Sequence, residues 1–178
     1  RSIIGSEGKE KRLTTKIFEQ LDIFHTEGTK DDMCIIGLKD NNNRVYRYVN
    51  KKYIEPHECT EFYKVVVPKS NGTSWTNPPT TMIGEPLVID PNFGFTQTFI
   101  CFGTFEDRNH AENMLKYIKS KFCRTMLGVL KVTQDNNKDV WKYVPTQDFT
   151  ESSDMDWSQP MSVIDKQLYD KYGLGKEE

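Results

Sequence analysis

The chain has 178 residues, enough for one well-buried core or two small ones, and its 36% hydrophobic and 28% charged residues are typical of a globular protein. Every apolar run is shorter than the roughly 20 residues that a transmembrane helix needs, so we expect no membrane partner. The formal net charge of −2 argues at first against a nucleic-acid partner.

The ends and the cysteines of the chain indicate its setting. It begins at Arg1 rather than at a methionine and ends just after a predicted helix, so we expect a piece of a larger protein. The four cysteines lie in apolar segments, and none has CxxC spacing; they are Cys34, Cys59, Cys101 and Cys123. This pattern favours buried, reduced thiols in the cytoplasm over disulfides.

The first third of the chain predicts a β-hairpin. Residues 14–24 fit helix-like and strand-like spacing equally, so the element there stays open. Residues 33–38 form a short apolar run typical of a buried strand. The asparagines at 41–43 predict a turn, and 44–50 alternate as a second strand would.

Four more segments are predicted as strands. Residues 62–67 and 97–103 carry the clearest strand patterns, and 87–89 form a shorter candidate within a stretch rich in proline, glycine and threonine. Residues 140–144 are predicted as a short strand that ends at a proline.

Two helices complete the predicted fold. Apolar residues repeat at three- and four-residue steps over about 105–131, with Thr104 as the N-cap and Asp107 three residues on, reaching back to it. A C-terminal helix is predicted at about 162–172, ending at Gly173. The fold class is therefore α+β: a small mixed or antiparallel sheet with one long amphipathic helix and a terminal helix.

Charge is distributed unevenly along the chain. Residues 150–178 hold seven acidic residues against three lysines, a net charge of −4. Residues 108–142 hold eight basic residues against three acidic ones, a net charge of +5. We therefore predict a main domain at 1–149 and an acidic C-terminal segment at 150–178 that packs on it.

One motif suggests catalysis but is incomplete. Amino-group DNA methyltransferases use an Asn/Asp-Pro-Pro-aromatic loop, in which the aromatic side chain stacks on a flipped base. Here the sequence is Asn77-Pro78-Pro79 followed by Thr80, so the stacking group is missing. No glycine-rich turn precedes it to hold S-adenosylmethionine. A proline-rich surface loop is the better interpretation.

Other catalytic and metal patterns are equally incomplete. His57 and Cys59 are close in sequence, but a zinc site needs four ligands and no second pair stands nearby. A magnesium nuclease needs a lysine two residues after a carboxylate, whereas Glu61 lies three residues before Lys64. We therefore expect no catalytic residue, no metal and no cofactor in this chain.

Three segments mix basic, polar and aromatic residues in the way that nucleic-acid contacts require. The first is 44–53, the second runs from 64 to 75 around a strand end, and the third is 131–138. Lysine and arginine suit phosphates, while arginine, asparagine and glutamine suit base edges. Taken singly, each segment is also compatible with an ordinary solvated loop.

A longer stretch of the chain, roughly 60–175, resembles a known family. The resemblance is carried by 63–72 with 84–86 in the N-terminal half, and then by 102–105, 111–122, 132–135, 141–149, 156–158 and 164–174. These segments resemble the C-terminal region of bacterial restriction–modification enzymes, type IIG and related, in which an adenine-specific DNA methylase and often an endonuclease share one polypeptide. The most specific pieces are 147–149 and 168–174.

The resemblance implies that residues 1–149 form a DNA target-recognition domain in a bacterial cytoplasmic enzyme. Its partners would be double-stranded DNA and the methylase and endonuclease domains of the same polypeptide. S-adenosylmethionine and Mg²⁺ would be bound by those domains, in the parent protein rather than in this chain.

Residues with the chemistry for DNA contacts are predicted from the basic segments and from the polar face of the long helix. They are Arg44, Arg47, Lys64, Lys69, Asn71, Lys116, Arg124, Lys131 and Gln134. The alternative is a structural docking domain that packs on the methylase or endonuclease part without reading bases. The acidic tail and the near-neutral charge favour that alternative.

Overall fold

In the computed structural model, the described residues are 13–38, 43–55, 57–70, 83–130 and 138–174. Six strands lie within them: β1 (Asp32–Leu38), β2 (Arg44–Asn50), β3 (Tyr63–Pro68), β4 (Leu87–Ile89), β5 (Phe93–Phe95) and β6 (Phe99–Phe105). The helices are α1 (Ile17–Gln20), α2 (Arg108–Lys119), α3 (Lys121–Leu130), α4 (Lys138–Trp141) and α5 (Met161–Lys171). The α+β class predicted from the sequence is confirmed.

The strands form two three-stranded sheets rather than one. The first has the order β2-β1-β5, with β1 and β2 antiparallel from Asp32↔Asn50 to Leu38↔Arg44 and β5 parallel to β1. The antiparallel pairing of the predicted hairpin is confirmed, and most of its turn lies outside the described residues. The second sheet has the order β4-β3-β6, and both neighbours of β3 are antiparallel to it.

Side chains of β1 and β3 pack the two sheets against each other. Ile36 of β1 packs with Val66 of β3, Ile89 and Phe99 in a cluster that joins the two sheets. The residues just before Ile36 and Val66 point to the opposite face of each sheet, as expected for successive side chains of a strand. Thus Ile35 packs with Phe18 of α1, and Val65 packs in the large core under α2, α3 and α5.

The prediction of one long helix over 105–131 is wrong in its bounds. Strand β6 continues to Phe105, and Asp107, not Thr104, caps α2 by accepting a hydrogen bond from the Asn109 N–H at 2.6 Å. The helix then stops at Ser120, whose backbone is extended, with φ −63° and ψ 151°. The buried Ser120 Oγ accepts from the Cys123 N–H at 3.1 Å, so Ser120 caps a second helix, α3.

The C-terminal predictions have a mixed outcome. The terminal helix is confirmed as α5, and Gly173 follows it with φ +68°, the left-handed conformation common at helix ends. The strand predicted at 140–144 is wrong: Val140 and Trp141 belong to the short helix α4, and a turn follows. Trp141 instead packs its ring against Phe102, with ring centroids 4.2 Å apart.

Candidate nucleic-acid interface

Six of the nine predicted DNA-contacting residues lie in the described part of the chain. Asn71, Lys131 and Gln134 lie outside it. Of the six, Arg44 and Arg47 are in β2, Lys64 is in β3 and Lys69 follows β3 directly. Lys116 and Arg124 are in α2 and α3.

Lys64 is fully buried, which the sequence did not predict. Its ammonium donates to the carbonyl oxygens of Cys59 at 2.9 Å, Thr60 at 3.4 Å and Phe62 at 2.7 Å. Burial lowers the pKa of this ammonium from its ordinary value. These contacts tie β3 to the 3₁₀ turn Glu58–Glu61, so Lys64 has a structural role and its side chain is not at the surface.

Lys116 is also engaged within the fold. Its Nζ donates to the carbonyl oxygen of Trp157 at 2.5 Å, which fastens the C-terminal segment to α2. Two neighbours on α2 bind carbonyls of the residues just before that segment: Asn113 Nδ2 donates to the Phe149 carbonyl at 3.0 Å, and Tyr117 Oη donates to the Pro145 carbonyl at 2.6 Å. The ammonium of Lys116, predicted to meet phosphates, is therefore bound by the chain's own C-terminal segment.

Residues 147–149 and 168–174, singled out in the sequence, meet in this same region. Buried Gln147 donates through Nε2 to the Tyr172 hydroxyl at 2.7 Å and accepts at Oε1 from Lys171 at 3.0 Å. Phe149 is buried in the large core, and Tyr172 stacks on Phe122 with ring centroids 4.8 Å apart. The residues that carry the resemblance at 147–149 and 168–174 thus join α5 to the body of the fold.

Arg47 and Lys69 are half-buried, and Arg124 is half-buried on α3. Arg47 Nη1 donates to the adjacent Tyr46 carbonyl at 2.8 Å. The backbone N–H of Lys69 donates to the Thr98 carbonyl at 2.7 Å, which extends the pairing of β3 with β6 by one residue.

Arg44 takes part in a cluster that links three elements. The exposed Arg44, at the start of β2, donates through Nη2 to the backbone carbonyl of Glu85 at 2.8 Å. The Glu85 carboxylate in turn forms an ion pair with Lys119, at the end of α2. The Glu85 and Lys119 side chains keep 61% and 36% of their surface exposed, so solvent reaches both charges. We call Arg44, Glu85 and Lys119 the Glu85 cluster.

The backbone that carries Glu85 is fixed on both sides. A Cβ atom on Gly84 would lie 2.6 Å from the Pro68 ring, so only glycine permits this close approach to the end of β3. On the other side, Pro86 is buried and leads into β4, which pairs with β3 through Leu87↔Val66. Glu85 therefore projects from a rigid support, and Lys69 adjoins the same support because it follows Pro68.

Sequence reasoning did not select Glu85 and Lys119. Lys119 was recognisable only as a residue on the flank of a helix, and Glu85 as part of a Gly-Glu-Pro turn. Their contact joins positions 34 residues apart. The one available signal was that a charged residue between glycine and proline has a restrained backbone.

The four cysteines are free, although not all are buried as predicted. Cys34 and Cys123 are buried, and burial raises the pKa of the Cys34 thiol to about 11 and that of Cys123 to about 12. Cys59 is half-buried and Cys101 is exposed, which corrects the expectation for that residue. Cys101 lies opposite Val66 on β6, an outer strand of the second sheet.

The described residues carry neither a metal-ligand cluster nor a membrane-spanning helix. Within the described ranges, no group of three or more His, Cys, Asp or Glu side chains is arranged to hold a metal ion. The Asp90 carboxylate is paired with Arg108 at 2.5 Å. None of the described helices combines the length and apolar character needed to cross a bilayer.

Comparison with known protein families, curated proteins and solved structures finds no match to this chain.

Proposed function

We propose that this chain is a sequence-specific duplex-DNA recognition module of a bacterial, cytoplasmic restriction–modification enzyme. In this proposal the chain itself is not an enzyme. The methylase and endonuclease parts of the same polypeptide hold S-adenosylmethionine and Mg²⁺ and methylate adenine, with or without cleavage. The proposal combines the sequence resemblance with the cationic groups of the described surface.

The observation that carries the proposal is the Glu85 cluster. Arg44 and Lys119 come from a strand and a helix that belong to different layers, and both meet Glu85 on a solvent-accessible surface. Arg44 binds the Glu85 backbone carbonyl and Lys119 pairs with the Glu85 carboxylate, so two cationic residues stand beside one carboxylate. Arginine and lysine at such a position can bind phosphate oxygens or the O6 and N7 acceptors of guanine.

The remaining predicted contacts divide into two groups. Arg47, Lys69 and Arg124, together with Asn71, Lys131 and Gln134 outside the described residues, stay in the proposed DNA-contacting set. Lys64 and Lys116 are left out of it because their ammonium groups are bound by backbone carbonyls inside the fold.

A titration of the full 178-residue chain with fluorescent random-sequence duplex tests the proposal. Binding is measured at about 50 mM and about 200 mM salt, and the affinity is expected to fall steeply because phosphate contacts release counterions. Arg44→Ala is expected to weaken binding and to reduce the salt slope by about 0.9. Lys166→Ala is the matched control, because Lys166 is an exposed, ion-paired lysine on α5.

The same preparation then selects its preferred sites from a random duplex library. An enriched motif supports recognition, and cleavage products should be missing when Mg²⁺ is added. If the wild-type chain binds no duplex at low salt, autonomous recognition is wrong.

Docking on the methylase or endonuclease part is the second candidate function, and a separate observation favours it. Val129 of α3 is 79% exposed and Tyr143, after α4, is 58% exposed, so each presents apolar surface that a partner domain could cover. Val129→Ser is expected to weaken association with a separately expressed methylase part and to leave DNA affinity unchanged. Equal association of Val129→Ser and wild type would remove this support.

A further inference from the structure

Glu85 is the only carboxylate of the Glu85 cluster, and its position has a consequence for DNA selectivity. Its carboxylate pairs with Lys119 on an exposed surface, and Arg44 binds the backbone carbonyl of the same residue. A phosphate that approaches either cation meets the negative charge of Glu85 as well. A carboxylate in such a place opposes binding to the backbone of any duplex, whatever its sequence.

We propose that Glu85 is a specificity-determining residue of the DNA site. In the free protein its carboxylate holds Lys119. On a target duplex it accepts a hydrogen bond from an exocyclic amino group of a base, of the kind that cytosine N4 or adenine N6 presents in the major groove, and Lys119 moves to a phosphate. This inference rests on the proposed function and adds to it a carboxylate residue that contacts a base.

The chemistry of the exchange fits the exposure of the groups. An ion pair between exposed side chains contributes only about 0–1 kcal/mol, so Lys119 can leave Glu85 for a phosphate at little cost. A carboxylate is acceptor-only, and an amino group on a base edge satisfies it where a phosphate cannot. Non-target duplexes that offer no amino group at that position leave the carboxylate unsatisfied and repelled by the backbone.

The restrained backbone around Glu85 makes this residue suitable for discriminating between bases. The close approach of Gly84 to Pro68 and the burial of Pro86 fix the backbone on either side. Arg44 adds a further restraint because its guanidinium binds the Glu85 carbonyl itself, at 2.8 Å, rather than the carboxylate. Discrimination between bases requires such preorganisation, because a side chain on a mobile loop could move to suit either base.

Glu85→Gln tests the inference, because glutamine keeps the size of the side chain and removes its charge. The affinity of the full chain for random-sequence duplex is expected to rise about three- to tenfold at low salt. In library selection, the preference at one base position is expected to weaken or change. Glu112→Gln is the matched control: Glu112 is also an ion-paired glutamate with a partly exposed side chain, but it lies on α2 and pairs with Arg108, at the opposite end of that helix from Lys119.

A double variant shows whether Lys119 is the cation that Glu85 restrains. If it is, adding Lys119→Gln to Glu85→Gln should cancel most of the gain in random-duplex affinity. Equal circular dichroism spectra and melting temperatures establish that all variants fold alike.

Each outcome decides between the proposals. A wild-type chain that binds no duplex overturns the proposed function and this inference together. A wild-type chain that binds and selects a motif, with Glu85→Gln matching Glu112→Gln in both affinity and motif, overturns this inference and leaves the proposed function standing. A gain in random-duplex affinity with an unchanged motif also overturns the assignment of Glu85 as a base reader.

Discussion

Asp165, within the C-terminal helix α5, caps the N-terminus of α3. Its Oδ1 accepts hydrogen bonds from the backbone N–H groups of Lys121 at 2.7 Å and Phe122 at 3.3 Å. These N–H groups have no partner within their own helix, because they belong to its first turn. Asp165 is buried, so the C-terminal segment supplies a polar contact that water does not replace.

We expect Asp165→Ala to lower the free energy of unfolding by about 1–3 kcal/mol, because it leaves buried N–H groups unpaired. Asp165→Asn should retain most of the stability, since an asparagine oxygen caps a helix about as well as a carboxylate. Urea unfolding followed by circular dichroism measures both. Equal losses for the two variants would show that the charge of Asp165, rather than its oxygen acceptor, stabilises α3.

Lys116 and Lys119 lie one helical turn apart on α2 but are expected to respond differently to substitution. Lys116→Met removes a charged hydrogen bond to the Trp157 carbonyl and should cost about 1–3 kcal/mol of stability. Lys119→Met breaks only a partly exposed ion pair with Glu85 and should cost at most about 1 kcal/mol. Thermal unfolding of the two variants compares them directly.

For DNA affinity we expect the opposite order, with the larger effect from substitution of Lys119. Lys119→Met is expected to weaken binding of random-sequence duplex, while folded Lys116→Met should bind as the wild type does. A larger loss of DNA affinity for Lys116→Met, in protein that remains folded, would return Lys116 to the proposed DNA-contacting set.

The buried ammonium of Lys64 predicts a pH dependence. Burial lowers the pKa of Lys64 in the folded chain. At pH values between this lowered pKa and the ordinary lysine pKa, the unfolded chain therefore binds more protons than the folded one. The contribution of Lys64 to the free energy of unfolding rises as the pH increases toward the ordinary lysine pKa, and this gain is lost as the pH falls through the lowered pKa. Lys64→Met lacks this titration.

The difference in unfolding free energy between wild type and Lys64→Met isolates this effect, because all other titrating groups are shared. At neutral pH we expect the variant to be less stable by about 1–3 kcal/mol, since three charged hydrogen bonds are lost, although the Cys59 and Thr60 carbonyls still accept from the Phe62 and Asn92 N–H groups. The advantage of the wild type should grow at alkaline pH. A constant difference from neutral to alkaline pH would show that the folded pKa is not lowered.

Local patterns were sufficient to predict much of the fold. The apolar run of β1 and the alternation of β2 are properties of adjacent residues, and so is the glycine after α5. The break at Ser120 was not visible as a change of period, because apolar residues of α2 and α3 continue in helical spacing across it. Serine as a capping residue was the signal, but the contact that completes the cap comes from Asp165, 44 residues from Lys121.

The candidate site was harder to predict than the fold. A lysine within a strand has the same sequence signal whether it meets water or, like Lys64, meets carbonyl oxygens of the preceding turn. The Glu85 cluster depends on three elements that meet only in the folded chain. Composition and spacing can therefore nominate basic residues, but tertiary contacts decide which of them remain available to a partner.

Two glycines with left-handed backbones allow steric and conformational effects to be separated. Gly103 in β6 has φ +66° and Gly173 after α5 has φ +68°. A Cβ atom on Gly103 would lie 2.9 Å from the Phe105 ring, whereas a Cβ atom on Gly173 would meet nothing within 4 Å among the described residues. Alanine at either position incurs the left-handed penalty of about 1–2 kcal/mol, and only Gly103→Ala adds a clash.

We therefore expect Gly103→Ala to lower the free energy of unfolding by more than Gly173→Ala, with an excess of about 1–3 kcal/mol for the displaced Phe105 ring. The double variant Gly103→Ala/Phe105→Leu tests whether the Phe105 ring causes this excess loss, because a smaller side chain at position 105 should recover part of the lost stability. Urea unfolding of the four proteins provides the measurement. Equal losses for the two single variants would mean that the backbone conformation alone, and not the contact with Phe105, requires glycine at position 103.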